Sequence, residues 1–205
     1  MELVKFNIDK PTPGEIRNIY DKCKKGIEIY FDPHRNPCYN EAFAGLSEEE
    51  VIKLEKQTLD ELSLRSSFYM LAYIETLFRT DFILRIESNQ KGYKDVITKE
   101  FKKIYNPARK LYTYSLVDDI FKIWKVHISN KTNSKEMRDI LNNLPQYFDF
   151  RNWMAHGRYW IYNETNYRRK YNFPQIEILL AHIEKYFDQY LKKKNFGILF
   201  SSSSI

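Results

Sequence analysis

Apolar positions along this chain recur at intervals of three and four in one segment after another, the period of helices packed on a core. Thr12-Pro13-Gly14-Glu15 opens a helix whose Ile16, Ile19, Tyr20, Cys23 and Ile27 form a stripe ending near Tyr30. Cys23 reads there as a core thiol. Residues 31–45 carry Pro33, Asn36, Pro37 and Asn40 and read as a loop. Ser47-Glu48-Glu49-Glu50 is a capping box, flanked by Leu46 and Val51 as a hydrophobic staple. It starts a long helix that holds its period to about Glu87, with Ser66-Ser67 as a place to bend.

Beyond a break at residues 88–92, a helix from about Asp95 runs toward Pro107, and Leu111, Leu116, Val117, Ile120, Phe121, Trp124 and Ile128 support another. His127, near its end, reads as a partner of the helix dipole or as a packed histidine. Ser134 caps a short helix with Met137, Ile140, Leu141 and Leu144, and Pro145 then resets the chain. A last helix, residues 174–192, carries Ile176, Ile178, Leu179, Ile183, Phe187 and Tyr190, with His182 as a structural residue.

The stretch after Pro145 carries the chemistry. With Asp149 as N-cap, Phe150, Trp153, Met154, Gly157, Trp160 and Ile161 fall on one helical arc roughly 120° wide, a core face. The opposite arc holds Arg158, Arg151, Ala155, Tyr159, Asn152 and His156. On this reading Arg151 and Asn152 lie in a first helical turn, where unpaired N–H groups and the dipole favour a phosphate. Arg151 and His156 stand roughly 140° apart, too far for one helix to close both on one atom. Two copies related by a two-fold axis remove the difficulty, one chain's arginine lying beside the other's histidine, with small Ala155 admitting the approach.

Arg151-Asn152-x-x-x-His156 on a late helix of an all-helical chain resembles the signature of the HEPN superfamily. These are small helical bundles, many of them dimeric, metal-independent endoribonucleases of toxin–antitoxin and phage-defence systems. The resemblance implies an all-α, HEPN-like up-and-down bundle with additional helices. It also implies Arg151, Asn152 and His156 as catalytic residues and no cofactor or metal. Its implied partners are RNA, a second copy joined through the helix of Arg151 and His156, and an antitoxin or defence-system protein. Glu75-Thr76-Leu77-Phe78-Arg79 is similar to the family's Glu-x-x-x-Lys-Arg motif, with Phe78 at the lysine position, and makes Glu75 and Arg79 supporting residues. From the residues alone, Glu75 and Arg79 are an i,i+4 ion pair on a helix. A tyrosine modified in one toxin branch lies two positions after the histidine; here Arg158 holds that place and the tyrosine is Tyr159.

Composition narrows the function classes. At 205 residues the chain suits one domain, residues 1–194, with a flexible tail over 195–205. Only 6 glycines, and no P-loop or dinucleotide fingerprint, argue against glycine-rich phosphate loops and turn-rich β folds. A net charge of +6 makes a polyanion the default partner. The basic, aromatic loop over residues 162–171 fits this, since single-stranded nucleic acid is held by cations on phosphates and rings on bases. Arg168, Arg169 and Lys170, with Arg158 and Tyr159, are the candidate RNA contacts, solvated loop charge being the alternative. Two cysteines and the opening Met-Glu-Leu-Val-Lys are read as a reducing, cytoplasmic setting without a signal peptide. No apolar run is long enough to span a bilayer. Cys23, His34 and Cys38 lack the spacing of a metal site. The competing functions are a catalytically inactive RNA-binding or dimerisation module of the same fold, and a helical interaction protein that binds no nucleic acid.

Overall fold

Two N-terminal caps set the frame. Thr12 and Glu15 form a reciprocal box, Glu15 Oε2 accepting from the Thr12 N–H at 2.7 Å and Thr12 Oγ1 from the Glu15 N–H at 3.3 Å, which opens α1 (Pro13–Tyr30). Ser47 and Glu50 repeat the arrangement at 2.8 and 3.3 Å ahead of the long helix. The computed structural model describes residues 11–87, 96–131, 135–157 and 171–192. Among the described residues the chain is helical and has no strand, an all-α fold.

The segment after α1 is more ordered than a plain loop. It contains a single turn, α2 (Tyr39–Ala42), and Phe31 stacks on Phe43 with centroids 5.0 Å apart. Val51 completes this small second core. Rings in a segment rich in proline and asparagine thus found apolar partners that the turn signals do not advertise.

α3 (Glu48–Glu87) is the central strut, 40 residues long. It passes unbroken through Ser66 and Ser67, both buried, whose small side chains let neighbouring elements come close. Its two halves differ. From Ser66 to Arg85 it is covered on most sides, because α1, α4, α6, α7 and the turn before α5 all pack on it. Its first half carries Ile52 and Leu54 into solvent, and on α1 both Ile19 and Cys23 are exposed, so neither is the core residue its spacing suggests.

α4 (Val96–Ile104) seats Ile97 and Phe101 in the core. The expected helix from Leu111 instead begins with a 3-10 turn, Leu111–Thr113, and then a π-helical turn, Leu116–Phe121, that leads into α5 (Lys122–Lys131). Ser115 caps the wide turn by accepting from the Asp118 N–H at 3.1 Å. His127 is buried against Trp124, the packed alternative.

α6 (Lys135–Ala155) overturns a sequence-based boundary. Pro145 lies inside it, so there is no separate short helix and no restart at Asp149. Proline costs about 3 kcal/mol in a helix interior. Leu141, Leu144 and Phe148, buried on either side of it, offset that cost by anchoring both halves to one core. α7 (Phe173–Lys192) closes the bundle, its first N–H donating to Ser63 Oγ at 2.9 Å and its Glu177 pairing with Arg17 of α1.

One charge sits at full depth. The Nε of Arg85 lies 2.8 Å from both carboxylate oxygens of Asp81, Nη1 donates to Thr98 Oγ1 at 3.1 Å, and the guanidinium stands 5.4 Å from the Trp124 ring centroid. This cluster ties α3, α4 and α5 together. No described helix is long and apolar enough to cross a membrane.

Candidate functional site

The continuity of α6 decides where Arg151 goes. In one unbroken helix Leu141, Leu144, Phe148 and Arg151 follow at steps of three and four, so Arg151 is brought round onto the buried side and meets α3. It is therefore not on a free solvent face. Its Nη2 lies 2.9 Å from Glu75 Oε2, its guanidinium carbon is 5.7 Å from the Phe68 centroid, and its Nε is buried.

Glu75 holds a second cation with its other oxygen. Arg79 donates from Nε to Glu75 Oε1 at 2.7 Å and from Nη1 to the carbonyl of Tyr114 at 2.9 Å. One carboxylate thus serves two guanidiniums, leaving the cluster with one positive charge in excess. Arg151 and Arg79 are each 27% exposed and Glu75 16%, so the group is partly desolvated yet can be reached by a ligand. Arg151 also donates from Nη1 to Asn152 Oδ1 at 3.2 Å.

The helix stops just beyond. The His156 N–H donates to the Asn152 carbonyl at 3.0 Å and the Gly157 N–H to the Met154 carbonyl at 3.2 Å, with Gly157 at φ +74°, the left-handed turn that ends helices most cheaply at glycine. Arg151 and Asn152 therefore occupy the end of a helix, not its first turn. A helix C-terminus presents unpaired carbonyls, which repel anions, so the expected backbone phosphate site is absent and any anion must be met by side chains. Asn152, Ala155 and His156 are exposed there. Of the expected core arc, Phe150 is buried, Trp153 and Met154 are half-buried and Gly157 is exposed, while Trp160 and Ile161 lie outside the described residues.

Four of the sequence-derived site residues, Glu75, Arg79, Arg151 and Asn152, meet in one contact network, and His156 follows Asn152 by one helical turn, linked to it by the helix backbone alone. Arg158, Tyr159, Arg168, Arg169 and Lys170 lie outside the described residues. Among the described residues no three His, Cys, Asp or Glu side chains converge as metal ligands. Sequence reasoning missed Phe68 and Tyr114. The first was traceable, since it precedes Glu75 by two helical turns; Tyr114 offers Arg79 a backbone carbonyl, for which no side-chain signal exists. No family model, curated protein or solved structure matches the chain.

Proposed function

We propose that the chain is a metal-independent endoribonuclease whose site is shared between two copies at the end of α6. The observation that carries this reading is the joint grip of Glu75 on Arg79 and Arg151, beside exposed Asn152 and His156. An arginine held this way is positioned in advance for a phosphate, which is how electrostatic stabilisation of a transition state works best.

In the reaction the RNA's own 2′-hydroxyl attacks the adjacent phosphorus. The P–O2′ bond forms and the P–O5′ bond breaks, leaving a 2′,3′-cyclic phosphate and a 5′-hydroxyl. One imidazole takes the 2′ proton while the partner copy's, already protonated, gives one to O5′; exchange with water resets both. Arg151 bears on the charge of the phosphorane, Asn152 orients the phosphate or His156, and Glu75 with Arg79 fixes Arg151. Positioned acid–base catalysis contributes about 10² to 10⁴ in rate, and loss of one electrostatic stabiliser costs about 10² to 10³. A toxin or phage-defence role in the cytoplasm, controlled by an antitoxin or a defence-system protein, belongs to the same reading.

Incubation with single-stranded and structured RNA in the presence of a chelator tests it. Products with cyclic-phosphate and 5′-hydroxyl ends are expected, reduced at least about a hundredfold in His156→Ala and in Arg151→Ala. Full cleavage by both purified variants removes the proposal. A second reading, an inactive RNA-binding or dimerisation module, draws on one observation: Arg151 is already engaged by Glu75. It requires RNA binding without cleavage, unchanged by His156→Ala.

A further inference from the structure

The chain's positive charge is not spread evenly. Residues 96–131 contain eight lysines and arginines against three acids, whereas α3 carries nine acids against five bases. The excess is concentrated where α4 ends and the next turn begins. Lys99, Lys102 and Lys103 follow at steps of three and four along α4, with buried Phe101 at another phase of the helix, and Arg109 and Lys110 come directly after Pro107. All five are exposed. Attraction to the helix dipole accounts for Lys102 and Lys103, which sit in the last turn, but not for Lys99, Arg109 or Lys110. Glu100 pairs with Lys103 at 2.6 Å and Asp119 stands 3.5 Å from Arg109. Among the described residues no carboxylate comes within ion-pair distance of Lys99 or Lys102. Like charges gathered on one face repel one another, and a polyanion relieves that.

The patch is wired to the candidate site. Arg109 stacks over the Tyr114 ring at 4.1 Å, the Tyr114 hydroxyl accepts from the Asn106 N–H at 2.7 Å, and the Tyr114 carbonyl accepts from Arg79, which shares Glu75 with Arg151. Tyr114, 2% exposed, is the joint between the two. Half-buried Tyr105 lies between Lys103 and Arg109 in the chain.

We infer that this α4–loop surface, through Lys99, Lys102, Lys103, Arg109 and Lys110, is a track for the sugar-phosphate backbone of RNA extending from the strand held at Arg151. The inference rests on the reading of that site as an RNA site. Phosphate contacts of this kind set affinity and register and are indifferent to sequence.

The test measures binding of a 2′-deoxy-substituted, uncleavable oligonucleotide over a range of salt, and in parallel cleavage of the all-ribose form. The full-length chain is compared with Lys99→Gln/Lys102→Gln/Lys110→Gln and with a control of equal charge change on α1, Lys22→Gln/Lys24→Gln/Lys25→Gln. The track variant is expected to bind at least about tenfold more weakly, with a salt slope shallower by roughly 0.7 per lost contact, while the control stays near the parent. Circular dichroism confirms that each variant is folded. Equal losses in both variants show that net charge alone governs affinity and overturn the track. So does an unchanged track variant, and if RNA is still cleaved with an unaltered KM the reading of the site survives alone. Track-dependent binding with no cleavage by the parent has the opposite meaning: the track stands and the catalytic reading falls.

Discussion

Glu75 faces two cations with one carboxylate, and the consequences are asymmetric. Removing Arg151 leaves Glu75 still paired with Arg79; removing Glu75 leaves two partly desolvated guanidiniums side by side. Glu75→Gln is therefore expected to cost about 1–3 kcal/mol in urea unfolding and Arg151→Met distinctly less. A double-mutant cycle on the two should return a coupling of roughly 0.5–3 kcal/mol. A coupling indistinguishable from zero would mean that the ion pair does not persist in solution. Asp81 and Arg85 repeat the asymmetry at greater depth. Asp81→Ala takes the carboxylate away from a wholly buried guanidinium and should cost about 3–5 kcal/mol, whereas the joint Asp81→Leu/Arg85→Met replacement should recover most of that. If the double variant proves as unstable as the single one, Arg85 has another anchor of equal weight. Neither cluster was fully legible in the sequence. The i,i+4 spacing of Glu75 and Arg79 was visible, but its extension to Arg151 needs the phase of a helix 76 residues further on. Arg85 follows Phe78 and Phe82 on one apolar stripe, a signal that a charge was being buried.

The elements were most legible where side chains name their own boundaries. Thr12 with Glu15, and Ser47 with Glu50, mark two helix starts because each box satisfies orphan N–H groups from within four residues. These hydrogen bonds hold the Glu15 and Glu50 carboxyls below their ordinary value of 4.5. The folded values being the lower ones, the caps contribute fully above pH 4.5 and fade as pH falls through the lowered values. Amide exchange at Ile16 and Val51, the residues that follow the boxes, should accelerate over that acid range beyond its intrinsic chemistry, and Thr12→Ala or Ser47→Ala should remove the effect. Exchange that follows its intrinsic pH dependence alone would deny the caps any role in solution. Pro145 misled for the opposite reason: its local preference for a helix start was overridden by Leu141, Leu144 and Phe148 on a shared core. Because the ring occupies a helix interior, Pro145→Ala should stabilise the protein by about 2 kcal/mol, the lost hydrogen bond and clash outweighing the entropy gained by the unfolded chain. A neutral or destabilising result would put a helix boundary back at residue 145. That boundary matters for function, since it decides whether Arg151 begins a helix or ends one.

At the scale of the whole molecule, the all-α class was readable from period alone, while the assembly on which the proposed chemistry depends was not, because symmetry leaves no mark on a single chain's spacing. Exposed Asn152, Ala155 and His156 at the end of α6 are what a second copy would meet. If the two imidazoles are pooled over one phosphate, as base and acid, a dimer with one His156→Ala subunit is as disabled as one with two. Mixing wild-type and His156→Ala chains, with time for subunits to exchange, should then lower activity as the square of the wild-type fraction, to about a quarter in an equal mixture. A mixture of Arg151→Ala with His156→Ala chains should stay near the background, since each mixed pair still lacks one imidazole. Activity falling only in proportion to the wild-type fraction would mean that each chain works alone. It would also return to the single helix the angular problem of bringing Arg151 and His156 to one atom, and catalysis would then have to come from other residues.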